Sequence, residues 1–230
     1  DGLRVGLGGV VATAGSPDGP TVLLRLDPET LAPAGVLRRT SSIALDQASI
    51  SLPESIDFSS TVGRIAHGLY YPPRSPWFVA PDAELPPLMV VSHGGPTSNA
   101  SSALDLGIQF LTSRGIAVVD VDYGGSTGYG REYRRALDGA WGLVDVDDCV
   151  AAASFLVERG DVDPRRLAIK CRGAGGFRTV AALVLHDRFS AGISAFGVGD
   201  LEVLARDTHK FESRYLDSLI GPYPARAEVY

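Results

Sequence analysis

The sequence predicts a mostly parallel, doubly wound α/β sheet preceded by a short all-β segment, and three observations carry that expectation. From Leu88 onward, apolar runs of strand length alternate with longer amphipathic stretches, the spacing of βαβ units with right-handed crossovers. The run Leu88-Met-Val-Val91 is apolar throughout, as expected of a strand covered on both faces. Before residue 53, by contrast, strand candidates follow one another closely and only Gly, Pro and Asp turns separate them.

Taken in order, Leu3–Leu7 and Val10–Thr13 read as strands, Ser16–Pro20 as a turn, and Thr21–Leu26 as a strand. Asp27–Thr30 is a second turn and Val36–Arg39 a third short run. About fifty residues is too few for an independent β-domain, so residues 1–53 are expected to end a larger sandwich or propeller. A new rhythm starts at Pro53, and Arg64–Tyr71 reads as a strand flanked by proline-rich loops at 71–76 and 81–87. Residues 54–230 are therefore expected to form the second unit. Within it, Leu88–Ser92 is a strand, and a helix through Leu104, Ile108 and Leu111 stops at Arg114-Gly115. Ile116–Val121 is the next strand. Leu143–Arg159 is a long helix with Val146, Val150, Ala153 and Leu156 on one side, closed by Gly160. A strand from Arg166, a helix through Thr179–Leu185 and a strand over Phe189–Phe196 complete the alternation.

The bulk properties narrow the function. A chain of 230 residues with 45% apolar composition buries a full core. Its net charge of −6 and lack of a basic run argue against nucleic acid or an anionic membrane as partner. No apolar run approaches the roughly 20 residues of a membrane span. The two cysteines, Cys149 and Cys171, make no disulfide framework and lie at no metal-ligand spacing, so no metal is expected and a reducing cytoplasm fits best. Asn99-Ala-Ser101 matches a glycosylation sequon, a three-residue pattern that carries little weight. The chain begins at Asp1 rather than methionine, so a longer parent is expected.

Most of the candidate chemistry gathers on two glycine-rich turns. Arg166–Phe177 reads as a strand that breaks into a tight turn and enters a helix. Such an elbow lifts one side chain clear of a sheet beside backbone N–H groups, and its usual pattern is G-x-S-x-G. Here Cys171-x-Gly173-x-Gly175 occupies that place, so the turn is expected and the serine is missing. His93-Gly94-Gly95-Pro96 lies at a strand end, where α/β folds bind ligands, and an HGG loop presents a backbone N–H to a developing oxyanion. An ordinary strand-end turn is the alternative. Tyr123–Gly130 is glycine-rich but lacks both nucleotide-binding spacings, so it reads as a structural loop bordering the site. Ser126 within it has no evident base. His67, His186 and His209 are scattered; His186 reads as a polar helix end, and His209 as solvated helix surface or a pocket rim. No pair of residues suits the base and acid of a triad. Cys171 is the one native substitute nucleophile, with Arg172 able to lower its pKa, yet the turn points it elsewhere.

The stretches HGGPTS, DYGGSTGYGREYR, DGAWGLVDVDDC, VDPRRLAI, GAGGF and DTHKFESRYLDSLIGPYP, in that order, resemble the prolyl oligopeptidase family of serine peptidases. Within the family the likeness is to the acylaminoacyl-peptidase and dipeptidyl-aminopeptidase branch. It implies a β-propeller joined to an α/β-hydrolase domain, with 1–53 a propeller remnant and 54–230 a truncated peptidase domain. It also implies hydrolysis of short or N-acylated peptides, without a cofactor. Carried over by position, Gly95 and Ala174 would supply the oxyanion-hole N–H groups and Tyr123 an extra donor beside them. His93, Gly94, Gly175 and Gly176 would shape the surrounding loops. The family elbow reads GGSAGGY/F, which sets Cys171 and Arg172 on two glycines and Gly173 on the nucleophilic serine. The family's acid and histidine come from loops after two further strands, beyond Tyr230.

Two functional expectations result. Loss of a catalytic serine costs on the order of 10⁶ in turnover in a serine protease, so this chain by itself is expected not to be a working peptidase. The alternative is a non-catalytic peptide-binding or scaffold subunit, whose open sheet edge a partner chain or a second copy completes.

Overall fold

The computed structural model describes residues 2–6 and 9–230. Its first sheet is an antiparallel meander of four strands in chain order, β1 (Arg4–Gly6), β2 (Gly9–Ser16), β3 (Gly19–Leu26) and β4 (Pro33–Arg39). The turn signals fall where expected: Pro17 and Asp18 turn β2 into β3, and the Asp27 carboxylate accepts from the Glu29 and Thr30 N–H groups to close the next turn. Part of the first expected strand, Leu3–Leu7, lies outside the described residues.

The second sheet has six strands: β5 (Glu54–Ser59), β6 (Ile65–Tyr71), β7 (Leu88–Ser92), β8 (Ala117–Asp122), β9 (Leu167–Arg172) and β10 (Ala191–Ala195). Their order is β10-β9-β7-β8-β6-β5. The four strands from β8 to β10 run parallel, and β6 and β5 add antiparallel at one edge. The helices are α1 (Leu106–Thr112), α2 (Gly130–Arg135), α3 (Val144–Arg159), α4 (Ala174–Leu185), α5 (Leu201–Asp207) and α6 (Leu216–Leu219). Two sheet faces are covered, as the unbroken apolar run of β7 requires. Val90, Val119, Val121 and Ile169 face α3 through Val146, Cys149, Ala153 and Leu156, while Met89, Val91 and Val118 face Ile108 and Leu111 of α1.

Local chemistry fixes the helix ends. Asp105 caps α1 by accepting from Gly107 and Ile108 N–H at 2.7 and 3.0 Å. Gly160 closes α3 in the left-handed region at φ +83°, its N–H turned back to Leu156 and Val157 carbonyls. Three departures from expectation concern where the helices lie. α4 starts at Ala174, directly after the turn, five residues before the predicted stretch. α2, α5 and α6 were not anticipated, since none is long enough to show an apolar period. His209 lies after α5 in a turn, not on a helix surface.

Topology places the site. From β7 the chain crosses through α1 to β8, then returns through α3 to β9 on the other side of β7. The strand order reverses there, the point at which open α/β sheets leave a crevice at their carboxyl ends. Register brings Ser92 beside both Val121 and Cys171, so the residues that follow them leave the sheet together.

Candidate functional site

The elbow begins with the alternation in β9. Leu167, Ile169 and Cys171 point into the core, and Gly173 follows at φ +56°, ψ −124°, before α4 starts. A side chain at that conformation is strained, so glycine relieves the backbone while forfeiting the functional group. A Cβ on Gly173 would meet nothing within 4 Å, which makes it a position raised over open space. The turn is tied on both sides: Gly173 N–H donates to Ala195 O at 3.1 Å, and Gly173 O accepts from Gly176 N–H at 2.8 Å. No side chain at 173 caps α4, and within its first turn Gly176 N–H is taken by Gly173 O.

Two further glycines let the elbow close. A Cβ on Gly175 would lie 2.7 Å from Cys171 Cβ, and one on Gly176 would lie 2.3 Å from Gly197 Cα. α4 therefore packs closely on Cys171 of β9 and approaches to backbone contact with Gly197, two residues past β10. The His93–Pro96 loop runs alongside, close enough that a Cβ on Gly94 would sit 3.5 Å from Arg172 O. Gly95 has φ +125°, and a Cβ there would be 2.8 Å from Thr97 N. The fold thus brings His93, Gly94, Gly95, Gly173, Ala174, Gly175 and Gly176 together at the carboxyl ends of β7 and β9.

Tyr123 departs from expectation. Its ring is fully buried, and its hydroxyl donates to Pro96 O at 2.6 Å. It holds the HGGP loop from beneath and does not face the crevice. Ser126 is the second correction, for it does have an imidazole neighbour: His93 Nε2 lies 2.6 Å from Ser126 Oγ. His93 Nδ1 lies 2.9 Å from Gly94 O, which only an Nδ1–H can satisfy, so Nε2 accepts the serine proton. Burial lowers the His93 pKa and keeps this ring neutral. Ser126 is fully buried, however, so the pair is an internal brace between two loops rather than a nucleophile and base open to substrate. Asp122 anchors the same network, accepting from Ala100 N–H at 2.6 Å and Tyr129 OH at 2.8 Å.

The remaining histidines are engaged elsewhere: His67 with Asp57 at 2.7 Å, His186 with Asp147 at 3.4 Å and His209 with Glu212 at 3.7 Å. Cys171 is buried with Sγ 3.1 Å from Ser92 Oγ, directed into the core as the turn implied. Cys149 is buried too, and burial pushes its thiol pKa well up.

Sequence reasoning missed the most consequential charge beneath the site. Arg178 is fully buried, donating Nε to Asp145 Oδ2 at 2.8 Å and Nη1 to Ser92 Oγ, with its guanidinium 3.7 Å over the Tyr123 ring. Asp145 in turn accepts from Gly142 N–H at 2.6 Å. Burial opposes the charge on Arg178, but the acidic groups around it outweigh that and it stays protonated. The signal was legible: Arg178 is the only charged residue of α4, and a charge amid an apolar helix needs a partner.

A mostly parallel sheet with a strand–turn–helix elbow beside an HGG loop defines an α/β-hydrolase-type domain. The model of the prolyl oligopeptidase family matches residues 102–229, more than half of the chain, and the chain belongs to that family. Among solved structures, a Mycobacterium tuberculosis puromycin-hydrolyzing peptidase is 46% identical with a TM-score of 0.92, over 95% of this chain and 34% of that one. Dipeptidyl aminopeptidase BIII of Pseudoxanthomonas mexicana is 30% identical over 58% of this chain and 19% of its own length. Acylamino-acid-releasing enzyme 1 of Oryza sativa subsp. japonica is 32% identical over 54% of this chain and 16% of its own. The chain thus spans less than a fifth of these two curated relatives and about a third of the solved structure.

Proposed function

We propose that this chain is a peptidase-family α/β-hydrolase domain that binds a peptide carbonyl but does not hydrolyse it with its own residues. Gly173 carries the reading: an elbow with open space above it and only hydrogen where an attacking oxygen would stand. Acyl transfer requires that oxygen to bond the scissile carbon while a base takes its proton and later returns it to the leaving amine. No such oxygen or base meets at residue 173, since all four histidines of the chain are engaged elsewhere. The N–H groups of Gly95 and Ala174 remain to hold a carbonyl oxygen, with Tyr123 and the His93–Ser126 pair bracing the first of them.

The ligands suggested by the relatives are short peptides and aminoacyl amides with a free or acylated amino end. Residues 2–53 would be the closing strands of a β-propeller, consistent with a four-stranded antiparallel meander that leaves Val5, Leu23, Val36 and Leu37 exposed. Two unpaired buried cysteines suit a cytoplasmic setting. A scaffold role has its own support in β10, which among the described residues pairs only with β9 and leaves Ile193 and Phe196 exposed, an edge that would accept a partner chain or second copy.

The test is exposure of the purified chain to a fluorophosphonate probe with peptide mapping, alongside amide-resolved NMR during titration with an N-acetyl dipeptide. The expected result is no covalent label, with perturbation centred on the Gly95 and Ala174 amides. Labelling of any residue in the crevice would overturn the non-hydrolytic reading.

A further inference from the structure

We infer that the hollow between α2 and the start of β6 is a binding site for a small carboxylate carried on an aromatic or apolar body. The hollow, about 830 Å³ in volume, is lined by Arg64, Tyr129, Arg131, Glu132, Tyr133 and Arg135. That size suits a small-molecule pocket. It opens at the same pole of the sheet as the elbow, because His67 of β6 pairs with Asp122 at the end of β8. The inference is independent of the chemistry at residue 173.

Its aromatic wall is rigid. Tyr129 OH donates to Asp122 Oδ2 at 2.8 Å and Tyr133 OH to Asp122 O at 2.5 Å. The Tyr129 ring stacks on His67 at 4.0 Å with an interplanar angle of 1°, and Tyr133 tilts against both rings at 5.1 and 5.2 Å. Two tyrosines locked at the hydroxyl and one face present fixed planar surface at little entropic cost to a ligand.

The charge in the hollow is uncommitted. Arg64 is spent on buried Asp148, with its two nitrogens at 2.7 and 2.6 Å from the carboxylate oxygens. Arg131 and Arg135 stand four residues apart on one helical face, exposed, and among the described residues neither guanidinium has a hydrogen bond or ion pair. Like charges at that spacing oppose helix formation, so the pair is not explained by the stability of α2. The favourable placement of Arg135 at the helix end accounts for one cation but not for Arg131 in the first turn. Glu132, also exposed and unpaired, offsets one of the two and leaves a single net positive charge, which favours a monoanion. Guanidinium groups grip a carboxylate through two parallel N–H bonds, and the tyrosine rings would take the body behind it.

Titration calorimetry with N-acetyl-phenylalanine, its amide and phenyl phosphate tests this on the chain as it stands. The carboxylate should bind saturably, with the amide and the phosphate dianion each about tenfold weaker or more, and added salt should weaken it. Arg131→Gln combined with Arg135→Gln should cost about tenfold or more, whereas Arg38→Gln with Arg39→Gln on β4 should cost nothing. No saturable binding, equal affinity for acid and amide, or tighter binding of the phosphate would overturn the assignment. Should the double variant fail to fold, the acid–amide pair and the salt series on the unmodified chain decide the matter alone.

Discussion

Residue 173 and its neighbours set two opposite demands on glycine. Gly173 sits in a conformation that penalises a side chain but has empty space for one, whereas Gly176 has ordinary backbone and no space at all. Gly173→Ala should therefore cost about 1–3 kcal/mol, the range for a residue held in a sparsely populated region. Gly176→Ala should cost more, because its methyl group meets Gly197 Cα and the backbone itself must retreat. Urea unfolding of the two variants checks this, and equal destabilisation would contradict it. Arg178 poses a second question at this scale. Removing one member of a buried ion pair leaves an uncompensated charge, so Asp145→Ala should cost about 3–5 kcal/mol. Arg178→Met likewise leaves buried Asp145 without its counter-charge and should cost a similar amount, whereas Arg178→Met combined with Asp145→Asn removes both charges and should cost less than the sum of the two single changes in the same denaturation series.

At the scale of the element, β8 carries two carboxylates on one face, Asp120 and Asp122, with different fates. Asp122 is hydrogen-bonded from both sides, but Asp120 Oδ1 is sealed from solvent without a partner. Desolvation, with Asp122 adding to it, raises the Asp120 pKa to about 7. The folded chain therefore holds a proton that the unfolded chain has released, so this group lowers stability as pH rises from about 4 through about 7. Asp120→Asn should stabilise the protein at pH 8 and change little at pH 4, read from denaturant midpoints across pH. His93, at the end of β7, works in the other direction. Its folded pKa lies below the usual 6.5, so the unfolded chain takes up the proton first and stability falls as pH drops below about 6.5. His93→Gln should remove that part of the acid slope while weakening the brace to Ser126.

On the scale of the whole molecule, the second sheet ends in an exposed strand. Ala191 to Ser194 of β10 are exposed, and Val184 and Leu185 at the end of α4 extend the apolar surface. Such an edge invites pairing with another chain. On the proposed pairing of two copies through this edge, Ile193→Lys should shift sedimentation of the chain toward the monomer, and a chain that sediments as a monomer without the substitution would count against that proposal. Much of this architecture was readable in the amino-acid sequence because strand and helix periods, turn residues and caps are local: β7, β8, α3 with its closing Gly160, and the glycine turn at 173 all follow from neighbours in the chain. The short helices α2, α5 and α6 were not, since four to seven residues complete too few turns to show a period. What only the tertiary structure decided was which side chains meet across the sheet: the His93–Ser126 pair, the commitment of Tyr123 to Pro96, and the burial of Arg178 against Asp145. Those contacts join residues 27 to 33 positions apart. Strand order and register bring them together, and no local pattern encodes a distance that exists only once the sheet has formed.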